Sequence, residues 1–402
     1  MTRELDTSMF RKPSLLLIGH TYAAVENRKK ILALGHHFDL VCVTSTIEHH
    51  TILGRPASDF DNDSDAATRT YELVRCPRVG PSETTFRYAG LGKVMRSRAF
   101  DVVLVENEPW AVVCWQARLL KSRLQPRALF GEFTWENVER PAWKGVILSR
   151  IYRAMTATTD FVIAGNRTAS ALVRAHGMRN AGVLVAPQLG VDLVNHQPAS
   201  DEERRELRRA QSLPEDGFIV GYCGRLTEEK GLRELFAACQ CLNKGTDPPV
   251  HLALLGAGLM KDWFEARTAA HRWLHLLPPR PHVEIPAFLR CLDVFVLGSK
   301  PLRIPGTVWD EQFGHVLIEA MACGVVTAGS TSGAIPEVLE DPDVTFPWGD
   351  VDALTSLLSR LRASPTERAA IAGRQVQRVR ENFTHDAVAA RWAEFIKERL
   401  AA

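Results

Sequence analysis

Residues 311–324 read EQFGHVLIEAMACG. Four apolar residues of this stretch have the spacing of one buried helix face: Val316, Leu317, Ala320 and Met321. Gly324 stands where a C-terminal glycine cap belongs, and the helix is therefore predicted to start near Gly314. Glu311 then precedes the helix and Glu319 lies inside it. The two acids are either solvated charges on a surface helix or the paired carboxylates of a binding site.

Short apolar runs alternate with helical patterns on both sides of this stretch. In the first half the apolar runs lie at 14–19, 39–45, 101–106, 127–133, 160–166 and 183–187. In the second half they lie at 218–224, 251–258, 293–299 and 325–330. Strands that alternate with helices predict right-handed βαβ units and a parallel sheet covered by helices on both faces. The predicted fold class is α/β, with two Rossmann-like doubly wound domains facing across a cleft.

The length of 402 residues fits two domains better than one. Residues 187–198 (PQLGVDLVNHQP) carry two prolines and no helical period, so we place the domains at 1–192 and 193–402. The helix predicted near 383–400 packs either within the second domain or back on the first. Residues 54–70 are polar and are predicted to form a loop or a cover.

The composition argues against several classes of protein. Lys and Arg (49) nearly balance Asp and Glu (47), so nucleic acid is not expected as a partner. Eight cysteines lie without zinc-site spacing, which predicts no metal site and favours a reducing, cytoplasmic location. Neither a membrane-spanning run nor a signal-peptide pattern is recognisable.

The second half has two further glycine-rich turns after predicted strands. In GYCGRLTEEKG (221–231) a glycine turn leads to Arg225 and Lys230 before a helix, an arrangement that suits an anion such as a diphosphate. Two solvated cations near a strand end are the alternative. Gly256 and Gly258 indicate either an ordinary tight turn or a close approach to a ligand.

Taken together, these motifs resemble the retaining glycosyltransferases of family four, which have the GT-B fold. Two glutamates with seven residues between them are that family's signature, preceded here by Gly224-Arg225 and Lys230-Gly231. Four further segments resemble the family: PQLGVD (187–192), LPPRPHVEIPAFLRCLDVFVLGS (277–299), SGAIPEVLED (332–341) and FPWGDVDAL (346–354). The resemblance covers residues 14–400.

The resemblance implies roles for individual residues. Arg225 and Lys230 would bind the donor's phosphates and neutralise the leaving diphosphate, while Glu311 would hold the transferred sugar. Glu319 would bind the ribose hydroxyls. The donor-binding residues implied are Gly224, Gly256, Arg280, Val283, Phe313, Gly314, His315 and Glu319.

The family also implies the reaction. A nucleoside diphosphate sugar, with uracil or guanine as the favoured base, would give its sugar to an acceptor hydroxyl with retention of anomeric configuration. No metal or other cofactor is implied. The acceptor, a glycan, glycolipid or small molecule, would bind to the first domain, and the product would serve glycan or glycoconjugate biosynthesis.

The first half departs from the family pattern. Many relatives have two glycines after the first strand, whereas GHTYAAVENRKK (19–30) has only Gly19 and places His20 in that loop. Glu108, Glu132 and Trp135 follow or end predicted strands and are, with His20, the acceptor-side candidates. Each also has a structural alternative, as a core residue or as a charge at a helix N-terminus.

Residues 140–153 (RPAWKGVILSRIYR) mix basic and apolar residues at helical spacing. They predict either an amphipathic helix packed on its sheet or a peripheral contact with an anionic membrane surface.

Two rival functions also stay open. A sugar-nucleotide epimerase would convert a donor without transfer, and an inactive glycosyltransferase-like binding subunit would neither convert nor transfer.

Overall fold

The computed structural model describes residues 11–46, 65–82, 84–139, 142–178, 182–245, 248–304 and 307–402. Most of the predicted loop at 54–70, up to residue 64, lies outside these residues. The chain forms two compact units. The first runs to Gly165 and adds Ala169–Leu189 and Val388–Ala402, and the second consists of Asn166–Thr168 and Gly190–Ala387.

The first unit contains a seven-stranded sheet whose neighbouring strands are all parallel, in the order β3-β2-β1-β6-β7-β8-β9. Its strands are β1 (Ser14–Gly19), β2 (Asp39–Ser45), β3 (Glu72–Cys76), β6 (Val102–Glu106), β7 (Leu129–Thr134), β8 (Phe161–Ala164) and β9 (Val183–Val185). Between β3 and β6, β4 (Arg78–Val79) and β5 (Arg87–Tyr88) form a short antiparallel pair. All six residues of β1 are buried, as expected of a central strand covered on both faces.

Helices cover both faces of this sheet. The helices are α1 (Arg28–Gly35), α2 (Leu91–Ser97), α3 (Val112–Leu124), α4 (Ala142–Thr156), α5 (Arg167–Ala175) and α14 (His385–Ala401). On one face, α1 and α14 pack over a core that includes Leu15, Leu17 and the fully buried Trp392. On the other face, α2, α3 and α4 pack over a core that includes Val103 and Phe130.

The sequence of residues 22–34 has a helical pattern, but helix α1 covers only its second part. The chain first forms a 3-10 turn at His20–Ala23, and α1 begins only at Arg28. The buried Arg28 guanidinium donates to the carbonyls of Tyr22 and Ala23, at 2.9 and 3.1 Å. Those carbonyls are therefore satisfied by a side chain and do not need a continuous helix.

The second unit has a six-stranded sheet, also parallel throughout, in the order β12-β11-β10-β13-β16-β17. Its strands are β10 (Phe218–Cys223), β11 (Val250–Leu255), β12 (Leu274–Leu277), β13 (Val294–Leu297), β16 (Val326–Ser330) and β17 (Thr345–Phe346). A separate antiparallel hairpin pairs β14 (Leu302–Ile304) with β15 (Thr307–Trp309). The order and direction of the strands are those of a doubly wound unit, so the predicted fold class is confirmed.

The remaining helices are α6 (Asp201–Ala210), α7 (Leu232–Leu242), α8 (Lys261–Thr268), α9 (Ile285–Leu289), α10 (His315–Ala322), α11 (Ile335–Leu339), α12 (Val351–Ala363) and α13 (Pro365–Asn382). The helix predicted from residues 311–324 is α10. It starts directly after Gly314, and Gly324 follows it with a left-handed φ of 71°. This is the glycine-terminated helix that its sequence predicts.

Candidate active site

Lys230 is held at the carboxyl ends of β10 and β13. After β10 the chain forms a 3-10 turn, Glu228–Lys230, and Gly231 then adopts a left-handed φ of 68°. A Cβ on Gly231 would overlap the carbonyl oxygen of Gly298, which follows β13. Only glycine allows the two turns to approach so closely, and this approach places Lys230 beside the residues that follow β13.

The carboxylate of Glu311 is the centre of the cluster. Its Oε2 accepts from Lys230 Nζ at 2.6 Å and from the buried Ser299 hydroxyl at 2.6 Å. The Lys230 ammonium also lies 4.6 Å from the centroid of the Trp309 ring, so the cation sits between a carboxylate and an aromatic face. Lysine, glutamate and serine side chains here come from three separate segments of the second unit.

The backbone around Glu311 is fixed by contacts to other segments of the same unit. The Glu311 carbonyl accepts from the Ala334 amide at 2.9 Å, and a Cβ on Gly333 would overlap that carbonyl. The Gln312 carbonyl accepts from Asn166 Nδ2 at 2.8 Å. The loop that carries Glu311 is thus held before α10 begins.

Glu319 lies on the first turns of α10 and is buried. Its Oε1 faces His282 Nε2 at 2.8 Å and His315 Nδ1 at 3.0 Å. Burial raises the pKa of the Glu319 carboxyl, but the two imidazoles outweigh burial and hold that pKa well below its usual range. The other His315 nitrogen, Nε2, faces the Gly190 carbonyl at 3.1 Å.

Three of the other predicted donor-side residues, Gly224, Arg225 and Gly256, follow the strands β10 and β11. Arg225 follows β10, but its side chain is 67% exposed and its nearest carboxylate is that of Glu229, at 3.7 Å. Gly256 follows β11 in direct contact with Gly224, because a Cβ on Gly256 would overlap the Gly224 carbonyl. Their φ angles of 147° also favour glycine.

The remaining three predicted donor-side residues differ in exposure. Phe313 is buried and packs edge-on against Phe383, with ring centroids 5.9 Å apart. Arg280 is half-buried, and Val283 is exposed on the short turn His282–Glu284. The donor-binding roles of all these residues stay predictions.

In the first unit, Glu108 follows the carboxyl end of β6 and binds the turn that leaves β7. Its carboxylate accepts from the Thr134 hydroxyl and from the amides of Trp135 and Glu136, at 3.1 and 3.2 Å. Burial, and then the neighbouring Glu136 carboxylate, raise the pKa of Glu108 to about 7. A carboxyl that exchanges its proton near neutral pH therefore lies at this strand end.

The other acceptor-side candidates have partners within the first unit. The Glu132 carboxylate is fully buried and accepts from Arg118 and Thr159, at 3.2 and 2.9 Å. The Trp135 indole donates to Gln188 Oε1 at 3.0 Å. His20 is partly buried, and desolvation of its ring, followed by the charge of Arg78, lowers its pKa to about 4. These contacts supply structural roles, and the acceptor-side roles stay predictions.

A buried ion pair in the same unit was not anticipated from the sequence. Lys30 Nζ lies 2.9 Å from Glu106 Oε1 and 3.1 Å from the Tyr22 hydroxyl, and the Lys30 and Glu106 side chains are fully buried. The ammonium also faces the Trp392 ring, 3.0 Å from its centroid. Burial lowers the pKa of Lys30 to about 8, against the opposing effect of Glu106.

The sequence did not indicate Ser299 and Trp309 as site residues of the second unit, and it placed His282 only in the 280–283 stretch expected to flank the base. Ser299 could have been found from the sequence, because it is the last residue of the predicted strand 293–299, at the strand end where ligands bind. His282 lies inside the 277–299 segment that resembles the family, but nothing local indicates that it contacts Glu319. Nothing in the sequence indicated that Trp309 belongs to the site, since its strand β15 was not predicted.

The part of the chain that the structure describes has no group of three or more His, Cys, Asp or Glu residues arranged to hold a metal ion. In the same part of the chain, no helix is long and apolar enough to cross a membrane.

Comparison with known proteins finds a family that resembles part of the second unit. Residues 203–378 match the model of the glycosyl transferases group 1. The two Rossmann-like units have the GT-B fold.

Among individual relatives, the chain is 30% identical to 2-deoxystreptamine N-acetyl-D-glucosaminyltransferase of Streptomyces fradiae, over 52% of this chain and 46% of the relative. It is 34% identical to GDP-mannose-dependent alpha-(1-6)-phosphatidylinositol monomannoside mannosyltransferase of Mycolicibacterium smegmatis, over 53% and 56%. The match thus spans about half the length of these curated relatives.

Solved structures agree in fold over nearly the whole chain. HepE of Anabaena in complex with UDP superposes with a TM-score of 0.70 at 17% identity, covering 96% of this chain and 100% of that one. Sucrose-phosphate synthase from Thermosynechococcus elongatus superposes with a TM-score of 0.68 at 18% identity, covering 97% and 99%.

Proposed function

We propose that this protein is a retaining glycosyltransferase that moves a sugar from a nucleoside diphosphate sugar to an acceptor hydroxyl without a bound metal. The observation that carries the proposal is the contact of Lys230 with Glu311 at the carboxyl ends of β10 and β13. Open α/β sheets bind ligands at that edge. The match of residues 203–378 to the model of the glycosyl transferases group 1 supports the same reaction class.

In the proposed reaction, the bond between the sugar's anomeric carbon and the diphosphate oxygen breaks, and the acceptor oxygen bonds to that carbon from the same face. The acceptor proton passes to the leaving phosphate oxygen. Negative charge grows on the diphosphate as the bond breaks, and the Lys230 ammonium is the fixed cation best placed to stabilise it. Arg225, exposed on the same turn, adds a second cation when it folds over the diphosphate.

The donor would be held by the two acids of the 311–324 stretch. Glu311 offers its carboxylate to hydroxyls of the transferred sugar, and Glu319 binds the ribose. His282 and His315 keep Glu319 ionised, which makes its carboxylate a stronger acceptor. Amides at the start of α10 add positive potential beside the diphosphate. UDP and GDP sugars are the donors we favour, and the second unit is the donor-binding unit.

The first test is a thermal-shift screen with UDP, GDP, dTDP, ADP and CMP in the presence of EDTA. A ligand at 100 times its dissociation constant adds about 2.7 kcal/mol, which raises the melting temperature by a few degrees. We expect one diphosphate to stabilise the protein and Glu319→Gln to remove that stabilisation. If no nucleotide shifts the melting temperature, metal-free nucleotide binding is wrong.

The second test measures what happens to the sugar of the donor. The protein is incubated with radiolabelled sugar derivatives of the stabilising nucleotide and with hydroxyl acceptors. Net transfer with release of nucleotide supports a glycosyltransferase, and conversion of the donor sugar without transfer identifies an epimerase. Binding with neither conversion nor transfer identifies an inactive binding subunit.

A further inference from the structure

Two histidines face each other on neighbouring strands at one edge of the sheet in the second unit. His251 Nδ1 lies 3.1 Å from His275 Nε2, and the ring centroids are 5.3 Å apart. The edge strand β12 pairs with β11 in a register that sets Ala253 opposite His275. Side chains two positions apart in a strand share a face, so both imidazoles project from the same face of the sheet. The two residues are 24 positions apart in the chain, and no local motif reveals the pair.

The pair is accessible from solvent. Both rings are half-buried, and β12 is the outermost strand of the sheet on that side. The cation whose charge acts on His251 is Arg208. Its guanidinium is paired with the carboxylate of Asp293 at 2.9 Å, which offsets its repulsion of a second cation near the histidines.

Both rings are neutral at neutral pH. Burial, followed by the charges of His275 and Arg208, lowers the pKa of His251 to about 4, and burial also lowers the pKa of His275. One ring N–H therefore donates to the bare nitrogen of the other ring. A shift of that proton to the other nitrogen of its own ring leaves both facing nitrogens bare, and no proton is released. Neutral imidazole is the form that binds metal ions.

The spacing of the two facing nitrogens fits a shared metal ion. With Zn–N bonds of about 2.0–2.1 Å, two ligand nitrogens lie about 2.9 Å apart at a right angle and about 3.3 Å apart at the tetrahedral angle. The observed distance of 3.1 Å lies between these two values. Imidazole is a suitable ligand for Zn²⁺, Cu²⁺ and Ni²⁺, whereas Mg²⁺ and Ca²⁺ prefer oxygen.

We propose that His251 and His275 form a two-histidine site for a divalent late transition metal ion, Zn²⁺, Cu²⁺ or Ni²⁺, with water as the remaining ligands. Within the residues that the structure describes, no third His, Cys, Asp or Glu joins the pair. The affinity should therefore be lower than that of a structural zinc site with four protein ligands. A bound ion would connect β12 to β11 and stabilise this edge of the sheet.

This proposal goes beyond the proposed function and does not depend on it. His251 is the second residue of β11, which runs parallel to β10. Lys230 follows the opposite, carboxyl end of β10, so the histidine pair lies away from the candidate active site. The nucleotide screen contains EDTA, which keeps the histidine site empty, so a failure of that screen and a failure of the metal experiment are distinguishable.

The experiment is calorimetric titration of NiCl₂ and ZnCl₂ into the untagged, metal-free full chain without nucleotide. We expect a single strong site per chain, and no binding of MgCl₂. His251→Gln and His275→Gln should each bind Ni²⁺ at least about tenfold more weakly. Nickel should raise the melting temperature of the wild type and not that of His275→Gln, because the ion binds the folded chain.

Electron paramagnetic resonance gives a second measurement that needs no variant. The spectrum of the wild-type chain with one equivalent of Cu²⁺ should show two coordinating imidazole nitrogens, so this result decides the matter even where a variant fails to fold. Fewer than two nitrogens would overturn the proposal.

Two control variants each remove a pair of histidines adjacent in the sequence, His36→Gln/His37→Gln and His49→Gln/His50→Gln. Both should bind Ni²⁺ with the affinity of the wild type, and circular dichroism should show that all variants are folded. The proposal is wrong if the wild type binds neither Ni²⁺ nor Zn²⁺. It is also wrong if His251→Gln and His275→Gln bind like the wild type, or if a control loses as much affinity as they do.

Discussion

Lys230 Nζ lies 2.6 Å from Glu311 Oε2, and both side chains are largely buried. The pair joins residues 81 positions apart in the chain. A largely buried ammonium that is already oriented loses little freedom when charge develops on a leaving group. The same carboxylate also accepts from Ser299, and it is the group for which the resemblance implies contact with the transferred sugar.

Removal of the Lys230 charge should remove most of the catalysis. For Lys230→Met we expect a fall in kcat/KM of about 10²–10³, the usual effect of losing one group that stabilises transition-state charge. Glu311→Gln should also lose activity, with a larger effect on the donor KM. Initial rates of sugar transfer test both. Lys261→Met removes an exposed lysine of the same unit and should retain the wild-type rate. A Lys230→Met variant as active as the wild type would contradict the proposed role.

Trp309 should position the Lys230 ammonium. A cation over an aromatic face gains about 0.5–1 kcal/mol at a partly exposed site. We expect Trp309→Leu to lower kcat severalfold and Trp309→Phe, which keeps an aromatic face, to lower it less. The two variants should differ in kcat more than in acceptor KM. If Trp309→Phe and Trp309→Leu lower kcat equally, the Trp309 ring acts only through its size.

The Glu108 and Glu136 pair should make stability depend on pH near neutrality. The pKa of Glu108 in the folded protein, about 7, is above its ordinary value of 4.5. A group whose pKa is raised on folding stabilises the folded protein fully at a pH below its ordinary pKa. This stabilisation is lost as the pH rises through its folded-state pKa, here about 7. The free energy of unfolding should therefore fall, through this group, as the pH rises.

Glu136→Gln tests this dependence. It removes the neighbouring charge but keeps an oxygen for the Trp110 indole, which donates to Glu136 at 3.0 Å. In urea denaturation, the free energy of unfolding of the variant, measured relative to that of the wild type, should rise by about 1 kcal/mol between about pH 5 and pH 8. Glu139→Gln, on an exposed neighbour, should keep the wild-type slope. An unchanged slope in Glu136→Gln would show that Glu136 does not raise the pKa of Glu108.

Removal of one partner of the buried ion pair between Lys30 and Glu106 should strongly destabilise the protein. Lys30→Met leaves the Glu106 carboxylate buried without its cation, and we expect a loss of about 3–5 kcal/mol in the free energy of unfolding. Lys30→Met/Glu106→Gln should recover part of that loss, because the uncompensated charge is gone. Urea denaturation of the single and double variants measures the coupling. Additive losses would show that the two residues do not act as a pair.

Much of the fold could be predicted because its signals are local. β1 and β10 are short apolar runs bounded by turn residues, and their type follows from the run itself. The limits of α10 follow from Gly314 and Gly324 in the same way. The 3-10 turn at residues 20–23 was missed, because Arg28 satisfies its carbonyls from a position that no helical period reveals.

Two parallel α/β sheets and the two acids at α10 could be inferred from the amino-acid sequence, because periodicity and capping act over a few neighbouring residues. The side chains that surround those acids follow from the packing of distant segments and could not be inferred in that way. Trp309 and Ser299 contact the site through turns whose approach depends on the packing of separate strands. Residues 388–402 belong to the first unit for the same reason. The amphipathic pattern of this last helix shows that one of its faces packs on an apolar surface. Which surface that is depends on the fold of the rest of the chain.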